Sequence, residues 1–481
     1  MSREALIFQR VTVIVSDFVY YYAVYEWIKK GPKLKIGWLN ENLLTPLVHS
    51  PSRDSWFDQR ILLTILFLLN PGLILVDHIH FQYNGFLSGL LLLSILRMME
   101  GNFLQSSLWF TILLNLKHIY LYSAPAYFFF ILRFHCLDRH FNIRFKNLLQ
   151  VGSLVAGVFA ISLAPFILTG SIKPLFSRLF PFQRGITHAY WAPNFWAVYN
   201  FLDRILSIIL GRKGTSSSTS GLVQEVQHNV LPSITPATTI VLVVGSMIPA
   251  LVTCWRKVYF SFNPTIFFLR LVVLASFSSF MFGFHVHEKA ILVIIVPMTP
   301  LVLMNKSDGV HFLLLSLTGT YSLFPLLHES AEGVTKVLIT LAFFSYAFPA
   351  ITSLYSDGKE VKSLYSDGKE VKSHYSDGKE VKSLYSNSRE RSRRTVVERE
   401  TGIVKWMGSK LRTYFKLLHL HQIIYLAGFV PLHVYSSFIH THVLGLNQKL
   451  PFLPLMLTSV YCSLGVIYSF IQFYLTTINY D

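Results

Sequence analysis

Residues 77–85 concentrate polar side chains directly after an apolar run, where a chain would leave a membrane. The candidates in this segment are Asp77, His78, His80, Gln82 and Asn84. Polar groups packed beside a bilayer need partners or a substrate. Asp77 can act as an acceptor or a general base, and the amides of Gln82 and Asn84 suit sugar hydroxyls. We therefore predict a substrate site with Asp77 as its catalytic carboxylate; capping of the helix end is the alternative.

Residues 285–289, His-Val-His-Glu-Lys, form a second cluster at the end of another apolar run. Its candidate side chains are His285, His287, Glu288 and Lys289. Lys289 and a protonated His287 would bind phosphate as point charges. The His-x-His-Glu spacing also resembles a metal site, and an interface cluster is the third alternative. We favour contact with a phosphate and assign no metal ligand and no cofactor.

A third cluster spans residues 178–196 and combines arginines with aromatic rings. Arg178 and Arg184 suit phosphate or pyrophosphate oxygens. Tyr190, Trp191 and Trp196 could stack on a sugar, or belong to an ordinary aromatic belt at the membrane surface.

Lys117 and His118, followed by two tyrosines, form a fourth and weaker cluster. Together the four clusters offer cations, a carboxylate and aromatic rings. That set fits transfer of a sugar from an anionic, lipid-linked donor. The acceptor hydroxyl then needs a general base, and the departing phosphate needs fixed positive charge or hydrogen-bond donors.

The composition indicates that these clusters are held by membrane helices. Of 481 residues, 52% are hydrophobic and only 14% are charged, and the mean hydropathy is +0.46. Soluble proteins carry about 25% charged residues. The net charge of +17 comes with basic residues in short loops between apolar runs, which favours a membrane protein over a nucleic-acid-binding one. Three cysteines far apart indicate neither a disulfide framework nor a zinc site.

A membrane-spanning helix needs about 20 mostly apolar residues. Thirteen runs approach this length, at about 8–28, 60–76, 83–98, 103–116, 120–134, 149–169, 236–255, 264–284, 290–304, 310–327, 335–352, 413–433 and 452–476. The run 196–210 is brief and contains Asp203 and Arg204, so we expect it to be interfacial or re-entrant. The predicted fold is an all-α polytopic membrane protein with about 13 transmembrane helices.

The charges of the connecting segments predict the topology. Basic residues concentrate in segments 29–59, 135–148, 256–257 and 355–412, which fall on one side if 196–210 does not span. The positive-inside rule makes that side cytosolic. All four candidate clusters then fall together on the luminal side.

Three regions follow from this pattern: a transmembrane region at 1–352, a linker at 353–402 and a C-terminal transmembrane pair at 403–481. The linker begins with three near-copies of Ser-Leu-Tyr-Ser-Asp-Gly-Lys-Glu-Val-Lys and continues with a basic run. Polar units of ten residues with one glycine are typical of a flexible segment. We expect a dispensable cytosolic linker, with a partner-binding repeat as the alternative.

Residues 77–85, 178–185, 188–196 and 285–289 strongly resemble the eukaryotic dolichyl-phosphate-glucose glucosyltransferases of lipid-linked oligosaccharide assembly. Residues 188–194, 220–224 and 457–462 are similar to the member that adds the second glucose. The resemblance covers most of 5–350 and 403–476, and the repeat lies outside it.

This resemblance implies a multi-pass enzyme of the endoplasmic reticulum membrane with luminal loops and a C-type glycosyltransferase fold. Its implied substrates are dolichyl phosphate glucose and the glucosylated dolichyl-pyrophosphate-linked oligosaccharide. Glucose would be added with inversion, in α-1,3 linkage. The lipid bilayer is the expected surroundings, and nucleic acid is not an expected partner.

The family begins with a further helix and a luminal loop bearing an acidic residue proposed as the base, and this sequence starts after that region. We therefore expect an N-terminally truncated chain with little or no glucose transfer of its own. A non-catalytic membrane homologue and a lipid or sugar transporter are the alternatives. A transporter predicts internal helix repeats and charges deep in the membrane, for which Arg10, Asp17 and Arg270 are the residues to examine.

Overall fold

The computed structural model describes residues 2–30, 58–138, 140–180, 185–187, 190–212, 228–256, 264–327, 330–366 and 417–479. Within these ranges the structure is helical, and pairing of extended backbone is limited to two isolated bridges, Leu137 with Ile143 and Thr187 with Val286. The predicted all-α class is confirmed for this part of the chain. Arg184, residues 220–224 and most of the predicted linker lie outside the described residues.

The α-helices are numbered here in chain order. They are α1 Arg3–Lys30, α2 Gln59–Leu68, α3 Pro71–Leu73, α4 Asn84–Met99, α5 Phe103–Leu116, α6 Ala124–Ile131, α7 Phe145–Leu168, α8 Ile172–Leu179, α9 Phe195–Ile209, α10 Pro236–Arg256, α11 Pro264–Phe282, α12 Leu292–Met298, α13 Lys306–Ser322, α14 Ser330–Ser366, α15 Leu420–Ala427, α16 Phe429–Val434 and α17 Leu453–Ile478. Three π-helical turns extend helices at Ile74–Ile79, Leu132–Cys136 and Tyr435–Val443. Tighter 3-10 turns lie at His118–Ser123, Glu288–Ile291, Thr299–Leu303 and Phe324–Leu326.

Each of the thirteen predicted apolar runs overlaps helical structure. Residues 413–416, at the start of the run 413–433, lie outside the described ranges. Eight helical segments in the described chain are long and apolar enough to cross a membrane: Gln59–Ile79, Phe145–Leu168, Pro236–Arg256, Pro264–Phe282, Lys306–Leu326, Glu332–Tyr355, Leu420–Val443 and Leu453–Ile478. Helices α4 and α5 are apolar but only 16 and 14 residues long. The segments support a multi-pass membrane protein, and the number thirteen stays a prediction.

Small residues let α1, α4 and α5 approach closely at the centre of the bundle. A Cβ on Gly89 would lie 2.8 Å from the Cα of Tyr20, so only glycine fits where α4 crosses α1. Ser94 and Ser106 each donate a hydrogen bond to the other's backbone carbonyl at 2.8 Å, which joins α4 to α5. Such small and hydroxyl-bearing contacts are typical of packing between membrane helices. The crossing also brings Asp17 to the start of α4.

Charges inside the helices have partners within the protein. Arg270 of α11 forms an ion pair with Asp308 of α13, and both side chains are fully buried. Asn305 also donates to Asp308, at 2.8 Å. Where α1 and α4 end, a second network joins Glu26, Lys30, Arg97 and Glu100. An unpaired buried charge is costly. The ion pair with Asp308 therefore explains the buried charge of Arg270 without a transport function.

Helix α9 contains the run 196–210 that we expected at the interface. Its 15 residues reach about 22 Å, short of a hydrocarbon core of roughly 30 Å. Leu202, Ile208 and Ile209 are exposed, whereas Asn200 and Asp203 are buried. A helix with its polar side against protein and its apolar side outward is suited to lipid on that outer side. Its position at the membrane interface stays a prediction.

Helix α14 continues to Ser366, beyond the predicted start of the linker at residue 353. The first repeat unit is therefore helical, in contrast to the flexible segment we predicted. Extending an existing helix avoids the cost of nucleation. The Tyr355 hydroxyl also donates to the Val302 carbonyl at 2.5 Å, and its ring lies against Gly309. The packed region thus extends past the predicted boundary to include Tyr355.

Candidate functional site

Asp77 is buried in the π-helical turn Ile74–Ile79, with 1% of its surface exposed. Its Oδ1 accepts a hydrogen bond from the side chain of Asn84 at 2.8 Å, and its Oδ2 accepts one from the backbone N–H of Gly85. Both carboxylate oxygens are therefore engaged by the first turn of α4. In this arrangement, the residue predicted as the catalytic carboxylate fixes the polar loop that follows it.

Asn84 links this carboxylate to the fourth cluster. Its Oδ1 accepts a hydrogen bond from Lys117 Nζ at 2.7 Å, and its Nδ2 also donates to Gln82 at 3.1 Å. Lys117 stands at the end of α5, where the backbone turns to an extended conformation. Two clusters that the sequence presented separately thus form one hydrogen-bonded group.

Asp17 is a further carboxylate of this group, and the sequence did not identify it as a site residue. It is buried in α1, and its Oδ2 lies 3.5 Å from Nε2 of His78, whose side chain is 42% exposed. A Cβ on Gly85 would lie 2.9 Å from Asp17 and 3.3 Å from Asp77. The absence of a side chain at Gly85 lets both carboxylates reach the start of α4. The only signal in the sequence was an acidic residue within an apolar run.

The loop 285–289 is held by backbone pairing. The N–H of His285 donates to the Ile186 carbonyl at 2.9 Å, and its ring Nδ1 lies 2.8 Å from the Gly185 carbonyl, which can only accept. His285 has a φ of +53°, and the next residue, Val286, bridges to Thr187. His285 therefore shapes the loop through contacts with residues 185–187.

Beyond this turn, the side chains of His287 and Glu288 lie against each other, with Nδ1 and Oε2 2.7 Å apart. Glu288 is 1% exposed, whereas the His287 side chain is 38% exposed. A buried carboxylate thus orients an imidazole that remains accessible from outside.

Electrostatics place this loop beside the first cluster. Burial lowers the pKa of His80, and the charge of Lys289 lowers it further. Burial also lowers the pKa of Lys117, an effect that Lys289 strengthens and Asp77 partly opposes. Burial lowers the pKa of Lys289 as well, against the influence of Glu288 and Asp77. The charge of Lys289 therefore opposes that of Lys117, and a site where one ammonium group disfavours another is a favourable place for an anion.

The aromatic part of the third cluster packs against the same end of the bundle. The hydroxyl of Tyr190 donates to the Ser322 carbonyl at 2.9 Å, and the Ser459 hydroxyl donates to the Trp191 carbonyl at 2.9 Å. Burial raises the pKa of Tyr190, and Glu288 adds to that rise. Trp196 is 1% exposed and donates its indole N–H to the Gly283 carbonyl at 2.9 Å, so it anchors α9 rather than a sugar.

The arginines of the third cluster are less closely integrated. His118 meets the Phe180 ring edge-on at a centroid distance of 5.9 Å, which brings the end of α8 beside Lys117. Arg178, on the last turn of α8, is exposed. Arg184 lies outside the described residues, so its part in the predicted anion site stays a prediction.

Sequence reasoning also missed the polar face of α9, formed by Asn200, Asp203 and Ser207. Asp203 accepts hydrogen bonds from three successive backbone N–H groups, at residues 229–231. The available signal was polar residues recurring three and four positions apart within an apolar run.

The assembled groups can bind an anionic, hydroxyl-rich head group. Lys117 and Lys289 supply positive charge, Asn84 and Gln82 supply amides, and His78 and His287 are backed by carboxylates. Among the described residues, no three or more His, Cys, Asp or Glu side chains are grouped so as to hold a metal ion. The apolar helices that carry this polar group define a multi-pass membrane protein.

Comparison with protein families specifies this class further. Residues 1–473 match the ALG6, ALG8 glycosyltransferase family, and the chain belongs to that family. A mouse protein named dolichyl pyrophosphate Glc1Man9GlcNAc2 alpha-1,3-glucosyltransferase is 37% identical over 99% of this chain and 80% of its own length. Proteins of the same name from Bos taurus and Arabidopsis thaliana are each 36% identical, over 99% and 98% of this chain and 79% of their own length.

Proposed function

We propose that this protein transfers glucose from dolichyl phosphate glucose to the glucosylated dolichyl-pyrophosphate-linked oligosaccharide, in α-1,3 linkage and with inversion. The names of its curated relatives support this acceptor and this linkage. In the structure, the strongest support is the group formed by Asp77, Asn84 and Lys117 beside Lys289. The reaction belongs at the luminal face of the endoplasmic reticulum membrane, in a protein of the C-type glycosyltransferase fold.

The donor phosphate would lie between Lys117 and Lys289, because the charge of Lys289 acts on Lys117 and lowers its pKa. As the bond from the glucose carbon to the phosphate breaks, negative charge grows on the phosphate, and fixed cations stabilise that charge. Asn84 and Gln82 would hold sugar hydroxyls, and Asp77 would keep Asn84 in place for that contact. Transfer is therefore proposed to depend on Asp77.

Recognition of the singly glucosylated acceptor has a specific structural support. Residues 188–194 and 457–462 were the segments most similar to the enzyme that adds the second glucose. They contact each other through the hydrogen bond from Ser459 to Trp191, and Ser463 donates to the Asn194 carbonyl at 2.5 Å. We expect segments that determine the same acceptor specificity to lie on one surface of the protein.

The test is an assay in membranes from cells that lack both the first-glucose and the second-glucose activities and that express this protein. Radiolabelled dolichyl phosphate glucose is offered with either the unglucosylated or the singly glucosylated lipid-linked oligosaccharide. Any glucose that is transferred should enter only the singly glucosylated acceptor. Glucose on the unglucosylated acceptor would contradict the proposed specificity. Donor binding without any transfer would favour the non-catalytic homologue, and absence of both would overturn the proposal.

A further inference from the structure

Asn200 lies at the centre of the buried polar face of α9 and contacts two separate segments. Its Nδ2 donates to the hydroxyl of Thr187 at 3.2 Å, and its Oδ1 lies 3.0 Å from Nε2 of His228. Asp203, one turn further along, binds the backbone of residues 229–231 and so holds His228 in reach. One amide thus joins two stretches of the long segment that we predict to be luminal.

Thr187 is in turn the residue that pairs with the loop of the candidate site. It bridges Val286, while the preceding residue, Ile186, accepts the N–H of His285 at 2.9 Å. The close contact of His287 with Glu288 follows directly. Any shift of Thr187 along this pairing would therefore redirect His287 and the residue beyond it, Lys289.

The first turn of α9 is fixed to the same structural unit. Asn194 donates to the Phe280 carbonyl at 3.0 Å, and Trp196 donates to the Gly283 carbonyl at 2.9 Å. Those carbonyls stand at the end of α11, immediately before the loop 285–289. The start of α9 is therefore attached to the end of α11, and Asn200 connects the same helix to the loop 285–289 through Thr187. We call this second connection the brace.

We propose that Asn200 is a positioning residue for the proposed glucose transfer, acting through Thr187 to set the direction of His287 and Lys289. Asn200 does not touch the donor itself. Its amide keeps Thr187 paired with Val286, and that pairing holds the loop that carries His287 and Lys289. The inference rests on the proposed function for its kinetic consequence, whereas its structural consequence can be measured without any substrate.

The variant Asn200→Ala removes the brace and leaves α9 apolar on its outer side. We expect faster hydrogen exchange at the His285 amide, because its bond to Ile186 is no longer supported. The dissociation constant and the KM for dolichyl phosphate glucose should rise about five- to fifty-fold, the effect of one or two lost polar contacts. The kcat should change less than about two-fold, because bound donor still meets the same reacting groups.

A covalent replacement for the brace separates positioning from general stability. Adjacent extended segments lie about 4.8 Å apart, within the range that a disulfide spans. Thr187→Cys with Val286→Cys, made in the Asn200→Ala background, should form a disulfide that locks the pairing. The oxidised protein should regain slow exchange at His285 and the lower donor KM, and the reduced form of the same sample should lose both.

Asn147→Ala is the matched control. Like Asn200, Asn147 donates a hydrogen bond from its side-chain amide, in this case to the His135 carbonyl at 2.8 Å. It should leave exchange at His285 and donor KM unchanged. An unchanged KM in Asn200→Ala, or a raised KM that the disulfide does not lower, would overturn the inference. If the wild-type protein neither binds nor uses the donor, the proposed function fails instead. The exchange rate at His285 then decides the inference alone: faster exchange in Asn200→Ala supports it and unchanged exchange refutes it.

Discussion

Asp77 and Lys117 hold the two ends of one amide: Asn84 donates to Asp77 at 2.8 Å and accepts from Lys117 at 2.7 Å. A carboxylate on one helix end and an ammonium on another are thereby kept apart and aligned. An uninterrupted ion pair would neutralise both charges. The amide instead leaves the remaining donors of Lys117 available for a ligand.

Asn84→Ala should therefore destabilise the protein and weaken donor binding together. It leaves a buried carboxylate oxygen and a half-buried ammonium without their shared partner, at a cost of about 1–3 kcal/mol. Thermal unfolding in detergent and titration with dolichyl phosphate glucose measure the two effects. Asn115→Ala is the control, because Asn115 donates to the Thr111 carbonyl within α5 and lies outside the group. Equal donor affinity in Asn84→Ala and wild type would contradict the alignment role.

The lowered pKa of Lys289 gives donor binding a pH dependence with a definite sign. Burial makes this lysine lose its proton at a lower pH than usual. Binding that needs the ammonium should be strongest at lower pH and fall as the pH rises through that pKa. Lys289→Arg should keep its charge and extend binding to higher pH, because a guanidinium stays protonated. Identical pH profiles for both proteins would exclude Lys289 from the phosphate contact.

The predicted topology can be tested by glycosylation. Asn305-Lys306-Ser307 is a glycosylation sequon that the topology places in the cytosol, and Asn305 is also engaged as the cap of α13. We expect no glycan there. Ser217→Asn creates a sequon in the long segment predicted to be luminal and should add one glycan, visible as an enzyme-sensitive gel shift. A glycan on Asn305 would reverse the topology.

Deletion of the repeat should be tolerated even though its first unit continues helix α14. Removing residues 353–382 brings Ser383-Leu384-Tyr385-Ser386 to the end of the packed part of α14, the same four residues that begin the first unit. The incoming tyrosine can then replace Tyr355 against Val302. Tyr355→Phe in the intact chain should instead lose about 1 kcal/mol of stability with that hydrogen bond, whereas Tyr385→Phe should be neutral. Unfolding temperatures compare the three proteins, and an unfolded or inactive deletion variant would show that the repeat has a role.

Hydrophobic run length and basic loops were sufficient to predict the helices and to group the four clusters at one end of the bundle. The contact between Lys117 and Asn84 joins the fourth cluster to the first, and the bridge between Thr187 and Val286 joins the third cluster to the second. Segments that are far apart in the sequence can be assigned to the same side of the membrane by counting spans, because each span takes the chain to the opposite side. The same counting does not reveal which side chains pair.

The pairing of Asp77 depended on geometry that the sequence does not display. A carboxylate eight residues before Gly85 meets that residue's N–H only because a π-helical turn and a short loop reverse the chain. The role of Asn200 was hidden for a different reason. A short helix with apolar residues outward has the same composition as one with apolar residues inward, and only the packed structure distinguishes them.

Lys289 is proposed to help bind the donor phosphate, and titration of the purified protein with a short-chain dolichyl phosphate glucose measures that contribution. A charge-assisted hydrogen bond contributes about 1.5–3 kcal/mol, so Lys289→Ala should weaken binding roughly ten- to hundred-fold. Lys449→Ala, which removes an exposed lysine from the loop before α17, should bind like the wild type. Unlabelled dolichyl phosphate should compete, whereas dolichol without phosphate should not. Equal affinity of the Lys289→Ala and wild-type proteins for the donor would contradict the account.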